Sequence, residues 1–314
     1  MLGFRTQLFL GFILSILLIS CGNQDRHTDA ASSSSYSSDL GMIDALGRTV
    51  QLRGTVERVV TIAPGATEIV VAAGGLDKLV GVSNVDSSPA AVLELPSFSV
   101  LPMDFESILA LEPDLVLASS QVNDPKHARV FESLGLDVFY LDGSDWEAVF
   151  ESIKVAGDLL STREMADLTR DSLSNRISEL KRITSAVATR PRSVFLISEV
   201  TSYSFGEGSY VIDLFDWAGL DLASSKMGTP SPKLSDEWML VEDPAYIFGT
   251  FGEDFDPSLL VKHHPTWKNL KAIQSGNVFS IPHDLILRPG PGNVNASYIM
   301  AQKAHPELFQ QVGK

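Results

Sequence analysis

The sequence predicts an α/β protein of two lobes, each built on a mainly parallel sheet, joined by a long helix and separated by a ligand cleft. Three observations predict it. First, two stretches 131 positions apart look like copies: Glu106-Ser-Ile-Leu-Ala-Leu-Glu-Pro113-Asp-Leu-Val-Leu117 and Glu237-Trp-Met-Leu-Val-Glu-Asp-Pro244-Ala-Tyr-Ile-Phe248. Each places a glutamate seven residues before a proline and an apolar run after it. Second, short apolar runs alternate with helix-period segments, the pattern of parallel strands covered by helices. Third, residues 146–190 carry no strand signal and no proline. Self-similarity implies related lobes, and clefts between lobes are favoured places for ligands.

Bulk properties narrow the function classes. A chain of 314 residues is long enough for two lobes with cores of their own. Its formal charge of −15, from 24 basic and 39 acidic residues, repels phosphate backbones, so no nucleic acid is expected as partner. Apolar residues make up 44% of the chain, as in globular proteins. After residue 20 there is no run of ~18 apolar residues, so the body is expected to contain no spanning helix.

The elements follow in order. Arg5 and the apolar run from Leu8 to Leu18 read as an export signal over residues 1–20. Leu18-Ile-Ser-Cys21 resembles a bacterial lipobox, which implies diacylglycerol on the Cys21 thiol and cleavage before it. The alternative is an ordinary signal with an incidental cysteine. On the lipobox reading the protein is exported and lipid-anchored at the cell envelope, since two or more acyl chains hold a protein stably. Residues 21–42, rich in serine, read as a flexible tether.

The body divides into a lobe over 43–145, a helical connection over 146–190 and a second lobe over 191–314. In the first lobe, residues 44–52 predict a hairpin turning at Gly47 and Arg48. Strands follow at 58–62, 79–82, 115–117 and 138–141, and helices at 67–72, 105–111 and 126–134. In the connection, Leu173, Ile177, Leu180, Thr184 and Val187 recur at helical spacing and predict a long helix over roughly 163–187. The second lobe repeats the order, with strands at 193–197, 246–248 and 278–281, and Ala218-Gly-Leu-Asp221 echoing Ala73-Gly-Gly-Leu-Asp77. A stiff helical connection limits opening to a modest tilt.

These features together resemble the ABC-transporter substrate-binding proteins of the vitamin B12, ferric-siderophore and haem-binding class, which have two Rossmann-like lobes joined by a long helix. The resemblance rests on Arg58-Val-Val-Thr-Ile-Ala-Pro64-Gly-Ala-Thr67-Glu68, Leu109-Ala-Leu-Glu-Pro113-Asp-Leu-Val116 and Ile281-Pro-His-Asp-Leu-Ile-Leu-Arg288-Pro-Gly-Pro291-Gly292. It implies a monomeric, non-enzymatic receptor that hands a metal chelate (cobalamin or a ferric siderophore, and less readily haem) to an ABC permease dimer with its ATPase subunits. It implies no cofactor beyond the bound ligand. It also implies that Glu106 and Glu237, one per lobe, dock onto permease arginines as charge-assisted pairs. The plain alternative for each glutamate is the solvated face of a helix.

Ligand candidates follow from position. Pro64, Gly65, Ala66 and Thr67 lie at the carboxyl end of the first strand, where open α/β sheets bind ligands. Gly65 would let a bulky ligand approach the backbone; a plain turn with Thr67 as helix cap is the alternative. Tyr203 and Phe205 offer aromatic faces in a glycine-flanked loop, or pack at the lobe edge. Arg288 offers a partner to a ligand carboxylate or phosphate, or satisfies backbone carbonyls. Gly292 and Asn293 follow its loop where family members often carry a second basic residue, which weakens the case for a strongly anionic ligand. Family B12 binders carry aromatics where this chain has Asn84-Val85, Leu101-Pro102 and Pro230-Ser-Pro232; Asn84 is still counted among the cleft candidates.

Other readings compete. A zinc or manganese receptor needs converging histidines and carboxylates. The six histidines (His27, His127, His263, His264, His283 and His305) form no His-rich loop, so no metal site is assigned. Tyr203 and His283 are the candidates for ligating a haem iron. No nucleophile elbow or Walker loop argues for an enzyme, and Glu106 and Glu237 are expected on a dispersed surface. A lipid-anchored adhesin is a further alternative.

Overall fold

A computed structural model describes residues 41–310. The predicted export signal, Cys21, His27 and all but the end of the predicted tether lie outside the described residues. The chain enters through a two-stranded antiparallel hairpin, β1 (Met42–Ile43) and β2 (Thr49–Val50), with Gly47 at φ 74° in its turn, as the sequence predicts.

The first sheet comprises β3 (Val59–Thr61), β4 (Leu79–Ser83), β5 (Ser97–Phe98), β6 (Leu115–Ser119) and β7 (Asp137–Leu141). Its helices are α1 (Pro64–Ala72), α2 (Phe105–Ala110) and α3 (Lys126–Ser133). All pairings are parallel, in the order β5-β4-β3-β6-β7. All residues of β3 and β6 are buried, which is why these strands read as unbroken apolar runs rather than alternating ones.

Two helices follow, α4 (Trp146–Leu159) and α5 (Arg163–Thr184), divided at Ser161, whose φ of 57° ends the first. The long helix thus stops three residues before the predicted end at 187.

The second sheet comprises β8 (Arg192–Leu196), β9 (Asp221–Leu222), β10 (Tyr246–Gly249) and β11 (Val278–Ser280), with α6 (Val211–Trp217), α7 (Asp236–Glu242), α8 (Ser258–His263) and α9 (Lys271–Gln274) between them. The chain closes with α10 (Asn293–Ala304) and α11 (Pro306–Phe309). The order β11-β10-β8-β9, again all parallel, reproduces β7-β6-β3-β4 of the first sheet. Gly74 and Gly219, which end the equivalent helices α1 and α6, both have positive φ, 83° and 71°. The sequence repeat is therefore a repeat of topology, with β5 as an addition to lobe one.

The lobes share a core. One buried apolar cluster includes Val59 and Ile69 of lobe one, Ile153 and Ile177 of the connecting helices, and Phe215 and Met300 of lobe two. Trp146 on α4 meets Trp217 on α6 edge to face at 5.0 Å. Thr184 Oγ1 donates to the Trp217 carbonyl at 2.9 Å, and Tyr298 Oη donates to the Arg176 carbonyl at 3.0 Å. Among the described residues no helix is long and apolar enough to cross a membrane.

Candidate functional site

The repeated segments build matching surface helices. Asp104 caps α2 by accepting from Ser107 N, and Ser235 caps α7 by accepting from Trp238 N. Glu106 and Glu237 are each the second residue of their helix, both exposed, with Ile108 and Met239 buried two positions later. Carboxylates in a first turn are stabilised by the helix dipole. Each helix then turns through an acidic residue in the left-handed region, Glu112 at φ 47° and Asp243 at φ 42°, into Pro113 or Pro244 and the next strand. Among the described residues neither Glu106 nor Glu237 is in an ion pair.

The α2 and α7 helices are fixed at both ends by residues that sequence reasoning missed. Arg58, just before β3, donates to the carbonyls of Glu112 at 2.9 Å and Leu111 at 2.6 Å, which satisfies the end of α2. Arg192, which begins β8, instead pairs with the side chain of Glu242 at the end of α7, at 2.6 Å. At the other end, His127 meets Phe105 edge to face at 6.1 Å, and His264 Nδ1 stands 3.6 Å from Asp236. His127 lies in the first turn of α3, after β6, and His264 lies just past α8, after β10.

Pro64, Gly65, Ala66 and Thr67 form no loop. Helix α1 begins at Pro64, whose fixed φ suits the first helical position, so these residues are its first turn. Thr67 is fully buried and does not cap the helix; its hydroxyl lies 2.6 Å from Thr61 Oγ1. What approaches Gly65 is another part of the chain: a Cβ there would stand 3.1 Å from the Pro289 carbonyl oxygen.

Pro289 belongs to a lobe-two loop that inserts into lobe one. Arg288 Nε donates to Glu68 Oε1 of α1 at 2.6 Å, and Arg288 Nη2 donates to Asp284 Oδ1 at 3.0 Å. Ser87, on the loop after β4, donates to Asp284 Oδ1 at 2.5 Å and has long contacts with Arg288. His283 Nε2 lies 2.9 Å from Asp284 Oδ1 while its ring is largely exposed. Burial pushes the Glu68 carboxyl above its usual range, and pairing with Arg288 opposes that shift. Burial likewise raises Asp86, whose Oδ2 accepts from Ser83 Oγ at 2.5 Å while its buried Oδ1 has no protein partner. Tyr210 Oη donates to the Ile286 carbonyl at 2.6 Å, and its phenol is raised by burial and then by the charge of Glu68. The structure thus unites Pro64 to Thr67 with Arg288, but through contacts between the lobes.

The remaining candidates separate. Phe205 is half-buried against Phe195 and Tyr210, with ring centroids at 5.4 and 5.9 Å, and so packs in lobe two. Tyr203 is 43% exposed, and Asn84 is exposed on the loop after β4. Other loops carry apolar side chains open to solvent: Val85, Leu101 and Val122 in lobe one, and Val200 and Leu287 in lobe two. All leave the carboxyl ends of their strands, the ligand-binding edge of open α/β sheets. These loops offer exposed apolar side chains and the phenol of Tyr203, which is bridged to exposed Lys233, while Arg288 is already paired.

Comparison with known proteins agrees with this architecture. The vitamin B12-binding protein of Vibrio parahaemolyticus is 27% identical over 243 residues, covering 77% of this chain and 86% of that protein. YvrC of Bacillus subtilis, described as an ABC transporter substrate-binding lipoprotein, is 23% identical over 308 residues, covering 95% and 96%. The crystal structure of the periplasmic vitamin B12-binding protein BtuF of Vibrio cholerae superposes with a TM-score of 0.67 at 25% identity, covering 79% of this chain and 96% of that one. A periplasmic heme-binding protein of Pseudomonas aeruginosa shares the fold, with a TM-score of 0.72 at 21% identity over 80% of this chain and 93% of that one. The family model described as periplasmic binding protein matches residues 59–285, and the chain belongs to that family.

Proposed function

We propose that this protein is the substrate-binding component of an ABC importer, which captures a metal chelate, cobalamin before a ferric siderophore or haem, and presents it to a permease dimer. The observation that carries the reading is the pair Glu106 and Glu237: exposed carboxylates at the same position of equivalent capped helices, one per lobe. Two carboxylates on rigid supports suit a partner with two matching basic sites, and such pairs set orientation and encounter rate. The vitamin B12-binding and cobalamin-binding relatives favour a corrinoid as cargo. On this reading the chelate lies on the apolar loops around Asn84 and Tyr203, ATP is hydrolysed by partner subunits, and a lipidated Cys21 holds the receptor at the envelope.

The test is transport by the permease complex reconstituted in vesicles. The double variant Glu106→Ala/Glu237→Ala is expected to retain chelate affinity and to lose stimulated uptake. Unimpaired uptake by that variant would refute the docking assignment. Labelling cells with a radioactive fatty acid tests the anchor, since Cys21→Ser should abolish incorporation.

A further inference from the structure

Helices α2 and α7 correspond beyond their glutamates. Aligned on Glu106 and Glu237, Leu109-Ala110 of the first helix matches Leu240-Val241 of the second, three and four residues after each carboxylate. Residues at that spacing share a helix face, so each glutamate has two apolar neighbours on its own side. The two pairs differ in size and exposure. Leu240 is 44% exposed and Val241 83%, whereas Leu109 is half-buried and Ala110 offers a single methyl. One exposed apolar residue is ordinary on a protein surface. Here a pair of them adjoins an exposed carboxylate and recurs at the same place in the other lobe. Valine also favours a helix less than the alanine at the matching position, so helix formation does not explain Val241.

Charge selects the occupant. Neither helix has a basic residue in its last turn. At the end of α7, Arg192 is paired with Glu242 and Asp221, and Lys271 with Asp243. At the end of α2, Arg58 donates to the carbonyls of Leu111 and Glu112. Lys233, two residues before the Ser235 cap, is exposed, and among the described residues Glu237 is in no ion pair with it. The outer face of α7 therefore suits a surface that sets a cation beside apolar side chains, and a dimeric partner presents such a surface twice. An anionic lipid surface is a poorer match, since it repels a chain of net charge −15. We infer that Leu240 and Val241 form an apolar docking pad beside Glu237 for one permease subunit, so that α7 holds the partner while α2 mainly orients it. This rests on the docking reading above and deepens it. Apolar area removed from water at the centre of a contact slows dissociation, whereas carboxylates at its rim set orientation and encounter rate.

The experiment follows association and dissociation on the permease complex in lipid nanodiscs, at low and high salt. The receptor is the full chain carrying Cys21→Ser, so that no acyl anchor enters the lipid. Val241→Thr keeps the shape of the side chain, and Leu240→Gln keeps a good helix former. Each is expected to speed dissociation about five- to tenfold at both salt concentrations, with association changed by less than about twofold. Ala110→Ser should change neither rate by more than about twofold. All three side chains are exposed, so the fold is expected to tolerate each change. Glu237→Ala should slow association at low salt and lose that effect at high salt. Dissociation at the wild-type rate in both Val241→Thr and Leu240→Gln, with binding still lost in Glu106→Ala/Glu237→Ala, would overturn the pad and leave the docking reading standing. An equal loss in Ala110→Ser would overturn the inequality between the lobes. Wild-type binding by the double glutamate variant would overturn the docking reading and the pad together. Binding to nanodiscs without permease that Val241→Thr weakens would assign the pad to the lipid surface and overturn the proposal.

Discussion

Arg288 Nε lies 2.6 Å from Glu68 Oε1, a contact that spans 220 residues of sequence and fastens a lobe-two loop to the lobe-one helix α1. Both side chains are largely removed from water. Removing one member of such a pair leaves the other charge buried and alone, whereas neutralising both is far less costly. Arg288→Met is therefore expected to destabilise the fold by about 3–5 kcal/mol. Glu68→Gln/Arg288→Met should recover a large part of that loss. Urea midpoints of the two variants check this, and equal losses would refute it.

The same clamp explains two glycines. A Cβ at Gly143 would lie 2.5 Å from Pro289 Cγ, and one at Gly290 would lie 2.4 Å from Glu68 Oε2. A proline ring cannot yield by rotation, and the Glu68 carboxylate is held by Arg288. Gly143→Ala and Gly290→Ala should each cost about 1–3 kcal/mol as overpacking of a closed contact. Gly54→Ala is the control, since a Cβ there meets nothing within 4 Å. Thermal unfolding of the three variants gives the comparison.

The two-lobe architecture was legible because period and repetition are local properties. The strands at 115–117 and 246–248 and the glutamates before them can be aligned by eye, and they occupy equivalent places in the two sheets. The interlobe junction was not legible in the same way. Glu68 and Arg288 were both visible as motif residues, but nothing local links positions so far apart in the chain. Pro64 follows a strand and suggests a loop there, although proline also begins helices, and here it begins α1. Phe205 carried only the composition signal of an aromatic beside glycines, which a packed loop shares with a binding loop. The histidines beside α2 and α7 gave no signal, because His127 and His264 do not occupy matching sequence motifs.

The left-handed residues Glu112 and Asp243 allow a paired prediction. A side chain in that region is strained by its Cβ, and glycine relieves the strain at some cost in unfolded-state entropy. Glu112→Gly should be neutral or stabilising by about 0.5–1 kcal/mol. Asp243→Gly should not gain, because Asp243 accepts from Lys271 N at 2.8 Å and pairs with Lys271 Nζ at 2.9 Å. Those contacts also hold its carboxyl below the usual range. Denaturant melts of the two variants should differ in sign; a gain at Asp243 would refute the account.

His264 links acidity to the support of Glu237. Its ring stacks on Trp267 at 3.9 Å between centroids, and its Nε2 is buried without a hydrogen-bond partner. Burial lowers its affinity for a proton below the ordinary value of 6.5, and the nearby His263 lowers it further. Asp236 on α7 and the backbone of Glu199 oppose the shift. A histidine with a lowered folded-state pKa binds fewer protons folded than unfolded in the window between the two values. Stability there rises with pH, so acidification from 6.5 downward should weaken the fold until the folded-state pKa is passed. His264→Phe keeps the stack on Trp267 and removes the titration. The difference in unfolding free energy between wild type and this variant, followed from about pH 7 to about pH 5, should move steadily against the wild type. On the docking reading, permease binding should show the same divergence, because Asp236 adjoins Glu237 at the start of α7. A difference that stays flat with pH would show that His264 is not the group that titrates.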